Sequence, residues 1–235
     1  MVGETGFASV VGIDFRSRFI SLPSVTRLCY HFVTVRFALR EKARIPEKMT
    51  ETDTSNPWKT HDTREVYDNP WILVTESNVI NPAGGKGIYG VVHYKNLAVG
   101  VIPIDDEDHT WLVGQYRYTS DTYEWEIPEG GCPKGSELLD TATRELREET
   151  GLVAESYELI LNDLVLSNSV SDERAFIYTA RGISQGESDQ EDTEKITVER
   201  IPLTEAFAMV DRGEIRDAMS VAGLLRLRCM MAERK

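Results

Sequence analysis

Three carboxylates clustered on one helix constrain this chain more than any other feature. Glu145, Glu148 and Glu149 lie within residues 144–152, and residues three or four apart share one face of an α-helix. Crowded carboxylates repel one another and need a counter-charge. Magnesium or manganese, hard cations that take oxygen ligands, would supply it. Arg144, four residues before Glu148, can hold that side chain in an ion pair, so the segment predicts a helix that carries a divalent-metal site.

A glycine-rich turn directly precedes this helix. Residues 128–135 read Pro-Glu-Gly-Gly-Cys-Pro-Lys-Gly, and the glycines can bring backbone close to the carboxylates. Turn, helix and carboxylates together resemble the signature of the Nudix hydrolases, Gly-x5-Glu-x7-Arg-Glu-U-x-Glu-Glu-x-Gly-U, in which U is aliphatic. The match covers residues 130–152 and departs at one fixed position, where Ser136 stands in place of the first glutamate and Glu137 follows one place late.

An ordinary solvated helix is the alternative interpretation, because runs of charge usually face water. It leaves the Gly-Gly turn, the position of Arg144 and the Gly-Leu pair at 151–152 unexplained. Ser136 is expected to be the helix N-cap and Gly151 its C-terminal stop, with a buried stripe formed by Leu138, Ala142 and Leu146. Since Ser136 removes one outer carboxylate, we expect weaker metal binding or slower turnover than in a relative with the full signature.

The composition excludes several classes of function. The 235 residues, 41% of them hydrophobic, can form one large domain or a domain with a small appendage. A net charge of −13 disfavours nucleic-acid binding, although a divalent cation can bridge an acidic protein to a phosphorylated small molecule. The three distant cysteines argue against disulfides and zinc and for a reducing cytoplasm. No apolar run approaches the length of a membrane span.

The chain divides into three parts by composition. Residues 1–48 carry eight Lys or Arg against four Asp or Glu, a local charge of +4. We interpret this basic extension as poorly packed upstream translation, with the true start at Met49; the alternative is an amphipathic targeting peptide, which a missing apolar core and cleavage site disfavour. For the rest of the chain, the resemblance implies an N-terminal strand region at residues 49–93, used for dimerisation, and the Nudix hydrolase domain at residues 94–232.

Apolar periodicity predicts strands that surround a few helices. The predicted strands are 65–77 (with a turn at 69–70), 88–94, 97–104, 111–118, 124–127, 157–161, 174–180 and 196–202. Residues 105–108 are expected to be a hairpin tip, and 81–87 and 185–194 loops. Two more helices are predicted at 204–212, between an N-cap at Thr204 and a stop at Gly213, and at 218–231. The fold class is therefore α+β. The resemblance to the Nudix hydrolases implies a Nudix-type α/β/α sandwich with a mixed sheet, preceded by a small N-terminal antiparallel sheet.

Beyond the signature, residues 63–231 resemble the ADP-ribose pyrophosphatase branch of the family. The likeness rests on residues 115–117 (Gln-Tyr-Arg), 125–131 (Trp-Glu-Ile-Pro-Glu-Gly-Gly) and 213–222, while strands 66–79 resemble the small sheet with which those enzymes dimerise. It implies a homodimer that uses Mg²⁺ or Mn²⁺ to hydrolyse the pyrophosphate bond of a nucleoside diphosphate sugar. The first expectation is ADP-ribose, which would give AMP and ribose 5-phosphate.

The resemblance also assigns roles around the helix. Glu145 and Glu149 would be the main metal ligands, Glu148 would assist them, and the backbone carbonyl of Glu129 would face the same ion. Arg144 would orient Glu148. Each of these residues occupies the matching position of the signature or directly precedes it.

Other roles fall outside the helix. The resemblance places the water-activating base in a loop at residues 187–194, where the candidates are Glu191, Asp192 and Glu194; the alternative is a solvated acidic loop. The candidate substrate-binding residues are Arg117, Gly130, Gly131 and Asn168. Three aromatic residues could stack on a base or fill the core: Trp71, Tyr116 and Trp125. For Trp125, a place in the core is favoured.

Two questions stay open in the sequence. A nucleotide-sugar sensor that has lost turnover is an alternative function supported by Ser136 alone, and a nucleic-acid decapping or repair enzyme is disfavoured by the charge. ADP-ribose enzymes often carry a proline some way past the signature, but residues 164–169 contain none. Other nucleotide sugars therefore stay possible as substrates.

Overall fold

The fold begins with a three-stranded antiparallel sheet. A computed structural model describes residues 53–186 and 195–233; the basic extension at 1–48 and the predicted loop at 187–194 lie outside these ranges. The first sheet has the order β1-β2-β3 and consists of β1 (Lys59–Asp68), β2 (Ile72–Ile80) and β3 (Lys86–Tyr94). Asn69 Oδ1 accepts the amides of Trp71 and Ile72, both at 2.8 Å, and so closes the predicted turn.

A four-stranded mixed sheet forms the centre of the molecule, in the order β7-β4-β10-β9. Its strands are β4 (Asn96–Pro103), β7 (Glu129–Pro133), β9 (Ser156–Val165) and β10 (Arg174–Arg181). β4 runs parallel to β10, and the other neighbours are antiparallel. The predicted mixed sheet is confirmed, but part of the predicted signature loop is a strand, since the backbone of residues 129–133 pairs with β4.

Another three-stranded antiparallel sheet has the order β12-β5-β6. It consists of β5 (His109–Arg117), β6 (Thr122–Glu126) and β12 (Thr197–Pro202), and a two-residue ladder joins β8 (Leu152–Val153) to β11 (Ser184–Gln185). The prediction of a hairpin at 105–108 is wrong. These residues do turn, with the Asp105 amide bonded to the His109 carbonyl at 3.1 Å, but β4 and β5 belong to different sheets.

Three helices cover the central sheet: α1 (Leu138–Thr150), α2 (Leu203–Arg212) and α3 (Ala218–Glu233). Alternate residues of β4 face opposite sides. Val99 and Val101 pack with Leu146 of α1, whereas Ile102 packs with Leu224 of α3. A core on each side of the sheet gives the predicted α/β/α sandwich. Within the described ranges, no helix is long and apolar enough to cross a membrane.

The helix ends confirm two predicted stops and correct two predicted caps. Gly151 and Gly213 end α1 and α2 in the left-handed conformation, with φ of 71° and 72°. Ser136 is not the N-cap of α1, because the helix begins at Leu138 and Glu137 occupies the cap position. The Ser136 amide bonds to the Pro133 carbonyl in the preceding turn. Thr204 is not the cap of α2, which begins at Leu203 and follows Pro202.

Candidate active site

Strand β7 and helix α1 meet where glycine leaves room for a carboxylate. Gly130 pairs with Val99 of β4, so its backbone is fixed by the sheet. A Cβ atom added to Gly130 would lie 2.0 Å from Glu145 Oε1 and 2.5 Å from Oε2. Only glycine therefore lets the Glu145 carboxylate lie directly against this strand.

The three glutamates of α1 line one cleft, as their spacing predicted. Glu145 and Glu149 are 8% and 6% exposed, and Glu148 is half-buried. The cleft measures about 170 Å³, and it is lined by Gly130, Gly131, Arg144, Glu145, Glu148, Glu149 and Ile196. Gly130 and Gly131, two of the candidate substrate-binding residues, thus lie beside the candidate metal ligands.

Arg144 holds two of the carboxylates at once. It donates to Glu148 Oε2 at 2.5 Å, to Glu145 Oε1 at 2.6 Å and to the Gly131 carbonyl at 3.2 Å. Partial burial alone would lower the pKa of Arg144, but the negative charges of Glu145 and Glu148 outweigh it and raise the pKa. The predicted ion pair with Glu148 is present, and Arg144 also links this pair to Gly131 of β7.

Glu149 is held by backbone. Its Oε2 accepts the amide of Glu129 at 2.9 Å, which places the strand that carries the candidate carbonyl ligand at this carboxylate. The side chain of Glu129 is mostly buried, and its Oε2 has no hydrogen-bond partner within the described residues. Burial, with the nearby charges of Asp217 and Glu126, raises the pKa of Glu129 well above its usual value, against the opposing effect of Arg117.

Arg117 is anchored beside this group. Its Nε donates to both carboxylate oxygens of Glu126, at 2.9 and 3.1 Å, and its Nη2 lies 3.6 Å from Glu129 Oε1. Hydrogen bonding to Glu126 raises the pKa of Arg117. Glu126 is 3% exposed, whereas the Arg117 side chain is 39% exposed. A buried carboxylate therefore fixes a guanidinium that still faces open space.

A larger cleft lies on the other side of the two glycines. It measures about 610 Å³, and its lining includes Trp71, Tyr94, Arg117, Gly130, Gly131, Ser167, Glu173 and Asp217. A neighbouring cleft of about 570 Å³ shares several of these residues and adds Glu124, Glu126 and Arg216. Sequence reasoning missed Tyr94, Glu173 and Asp217, because they come from three distant segments and match no local pattern.

Four further residues named from the sequence are not in the lining of the carboxylate cleft. Asn168 is exposed in the turn after β9 and is not in the lining of these clefts, in which Ser167 takes part. Tyr116 is 61% exposed and donates to Asp121 at 2.7 Å. Trp125 packs against the core, as predicted. Ser136 is exposed and outside the carboxylate cleft, so its effect on metal affinity stays a prediction. The base candidates Glu191, Asp192 and Glu194 lie outside the described residues.

The donor atoms of the carboxylate cleft suit a hard cation. Among residues 53–186 and 195–233, no three His, Cys, Asp or Glu side chains form a preformed metal site. The carboxylates of the cleft are instead bound to Arg144 and to the Glu129 amide. The available donors are nevertheless all oxygens. Magnesium usually binds to one or two carboxylates and takes its other ligands from water and phosphate. The residues present therefore fit magnesium or manganese.

Comparison with known proteins finds a family match for each of two segments of the chain. Residues 94–222 match the NUDIX domain, and residues 58–92 match the nucleoside diphosphate sugar hydrolase N-terminal domain. The ADP-ribose pyrophosphatase of Mycobacterium tuberculosis (strain ATCC 25618 / H37Rv) is 35% identical over 148 residues, 61% of this chain and 70% of that protein. The ADP-ribose pyrophosphatase of Bacillus subtilis (strain 168) is 32% identical over 162 residues, 68% of this chain and 86% of that protein.

A solved structure supports the fold. The crystal structure of an ADP compounds hydrolase superposes with a TM-score of 0.69 at 20% identity, over 78% of this chain and 98% of that one. At this identity the likeness concerns the fold alone.

Proposed function

We propose that this chain, which belongs to the Nudix family and is a Nudix hydrolase, hydrolyses the pyrophosphate bond of a nucleoside diphosphate sugar. ADP-ribose, which water would split into AMP and ribose 5-phosphate, is the proposed substrate. The observation that carries this proposal is the convergence of Glu145, Glu148 and Glu149 on one cleft beside Gly130 and Gly131. The ADP-ribose pyrophosphatases at 35% and 32% identity support the choice of substrate.

Charge supports a requirement for a divalent cation. A pyrophosphate would meet three carboxylates in the cleft, and the whole chain carries a net charge of −13, so a cation must bridge the like charges. We propose Mg²⁺ or Mn²⁺, held by Glu145, Glu148, Glu149 and the Glu129 backbone carbonyl. When bound, it would neutralise the negative charge on the pyrophosphate oxygens.

The residues of the chain position the reacting groups. Arg144 keeps Glu145 and Glu148 turned into the cleft, and the Glu129 amide does the same for Glu149. Gly130 and Gly131 lie between the carboxylate cleft and the larger cleft, where a substrate could pass close to the backbone.

Arg117 and an acidic loop complete the proposed machinery. The exposed side of Arg117 would bind a substrate oxygen, because Glu126 fixes the guanidinium at the wall of the larger cleft. Glu191 or Asp192 would remove the proton of the attacking water, with Glu194 as a further candidate.

The N-terminal sheet would form a homodimer, and the enzyme would act in the cytoplasm. Val66 and Tyr67 of β1 are 51% and 54% exposed, and Trp71 and Ile88 are 69% and 67% exposed; a large exposed apolar patch usually marks an interface. Cys132 and Cys229 are both free thiols, which suits a reducing compartment. The alternative of a sensor without turnover is not favoured, since Ser136 is its only support.

Product identification with and without a divalent cation tests this function. The full chain is incubated with ADP-ribose and either MgCl₂, MnCl₂ or EDTA, and the products are identified by mass spectrometry. We expect AMP and ribose 5-phosphate with a cation and none with the chelator. Equal turnover in EDTA, or cleavage of a bond other than the pyrophosphate, would contradict the proposal.

A further inference from the structure

A short turn after β9 fastens the catalytic part of the chain to the N-terminal sheet. Val92 of β3 donates its amide to the Val170 carbonyl at 2.8 Å and accepts the Asp172 amide at 3.2 Å. Val92 and Ser171 form an isolated parallel bridge. The hydroxyl of Tyr89 adds a bond to the Ser169 carbonyl at 2.9 Å. Main-chain hydrogen bonds and one bridge thus tie the turn at residues 167–173 to β3.

Asp172 is the side chain that completes this connection. Its Oδ1 accepts the amide of Tyr94 at 2.9 Å, and its Oδ2 lies 2.8 Å from His93 Nδ1. The other ring nitrogen of His93 lies 2.9 Å from Thr75 Oγ1 on β2. One carboxylate therefore joins the turn to two strands of the N-terminal sheet. We call Asp172, His93 and Thr75 the clasp.

Two residues of the clasp, His93 and Asp172, are each followed in the chain by a residue that lines the larger cleft. Tyr94, whose amide Asp172 binds, lines that cleft, and so does Glu173, the next residue after Asp172. Ser167, at the start of the turn, lines it too, and its carbonyl accepts the amides of Val170 and Ser171 at 3.1 and 2.9 Å. A shift of the turn relative to β3 would therefore move Glu173 and Ser167 relative to Tyr94 in the lining of the cleft.

We propose that Asp172, through the clasp, is a positioning residue that sets the affinity of the larger cleft for the part of the substrate bound there. This inference rests on the proposed function. The carboxylate of Asp172 contacts His93 and the Tyr94 amide and does not belong to the carboxylate cleft. It acts by holding Tyr94 and Glu173 in place. A residue of this kind changes KM while kcat changes little, because the groups that carry the reaction keep their positions.

The test compares Asp172→Ala, Asp172→Asn and a matched control. The control is Asp211→Ala, which breaks an exposed ion pair with Arg228 at 2.9 Å between α2 and α3. With ADP-ribose and saturating divalent cation, we expect Asp172→Ala to raise KM about tenfold with kcat within about twofold. Asp172→Asn should stay within about threefold of the wild-type KM, since its amide oxygen can still accept the Tyr94 amide. Asp211→Ala should behave as wild type.

Hydrogen exchange supplies a readout that needs no substrate. The amides of Val92, Tyr94 and Asp172 should exchange faster in Asp172→Ala than in Asp211→Ala and recover in Asp172→Asn. Equal KM and equal exchange in the two alanine variants would overturn the inference, as would a fall in kcat that Asp172→Asn does not reverse. If the wild-type protein hydrolyses no nucleotide sugar, the proposed function fails, while exchange still decides whether the clasp orders the turn.

A second variant keeps the inference testable if Asp172→Ala does not fold. His93→Gln removes the link to Asp172 Oδ2 and leaves the bond between Asp172 and the Tyr94 amide. We expect KM to rise by roughly threefold or more with kcat retained. An unchanged KM in a folded His93→Gln protein would overturn the role of the clasp.

Discussion

Gly130 shows how one missing side chain shapes the site. The nearest atoms to a Cβ at this position are the carboxylate atoms of Glu145, the far end of a flexible side chain. Substitution would therefore move the carboxylate and leave the strand in place. The consequence is a change in catalytic geometry with little change in stability.

We expect Gly130→Ala to lower turnover by about a hundredfold, since a displacement of about 1 Å in a catalytic group can cost that much. The free energy of unfolding should change by less than about 1 kcal/mol. The matched control is Gly87→Ala in β3, where a Cβ meets nothing within 4 Å. Neither glycine has a positive φ, so the pair tests space alone. Wild-type kinetics in Gly130→Ala, measured with steady-state assays and chemical denaturation, would contradict the proposed place of Glu145.

Predictions at the residue scale succeeded where the interaction was local. The ion pair of Arg144 with Glu148 follows from a spacing of four residues on a helix, and it is present. The bond of Arg144 to the Gly131 carbonyl joins residues 13 apart and could not be predicted from helical spacing. The same limit hid Tyr94, Glu173 and Asp217, which only the tertiary fold brings to one cleft.

Whole elements were predicted better than their ends. Gly151 and Gly213 end their helices because the left-handed conformation is a property of a single residue. The starts of α1 and α2 depend on contacts from outside the helix. The amide of Ser136 donates to the Pro133 carbonyl at 3.0 Å, and the amide of Leu203 donates to the Asp108 carbonyl at 2.9 Å. Strand β7 was predicted as a loop because its Gly-Gly sequence lacks the residues that favour strands.

The N-terminal sheet exposes the apolar side chains of Val66, Tyr67 and Ile88, and its proposed role can be tested directly. We expect the wild-type protein to have twice the mass of the 26.5 kDa chain in sedimentation velocity. Ile88→Glu should shift it toward the monomer, because a buried unpaired charge is costly at an interface. Leu159→Glu in β9, also an exposed apolar position at 39%, is the control and should stay dimeric. A wild-type monomer, or the same mass in all three proteins, would contradict the dimer.

At the scale of the whole molecule, a central sheet with helices on both sides carries the site at one edge. Strand β7 forms that edge and brings Gly130 to α1, while the larger cleft opens beyond it. The signature made this architecture predictable, because one motif defines both the strand–helix junction and the carboxylates. Substrate identity was not predictable in the same way, since the larger cleft is lined by residues from the N-terminal sheet, the turn after β9 and the start of α3.

The most direct measurement is hydrolysis of a panel of nucleoside diphosphate sugars, ADP-ribose included, by the wild type, Glu149→Gln and Glu205→Gln. Glu205 is a surface residue of α2 paired with Arg212 and serves as the control. With magnesium or manganese, we predict that the wild type releases AMP from ADP-ribose and that Glu205→Gln matches it. Turnover by Glu149→Gln should fall by about a hundredfold or more. Wild-type turnover in Glu149→Gln, or no hydrolysis of any panel member by folded wild-type protein, would contradict the account.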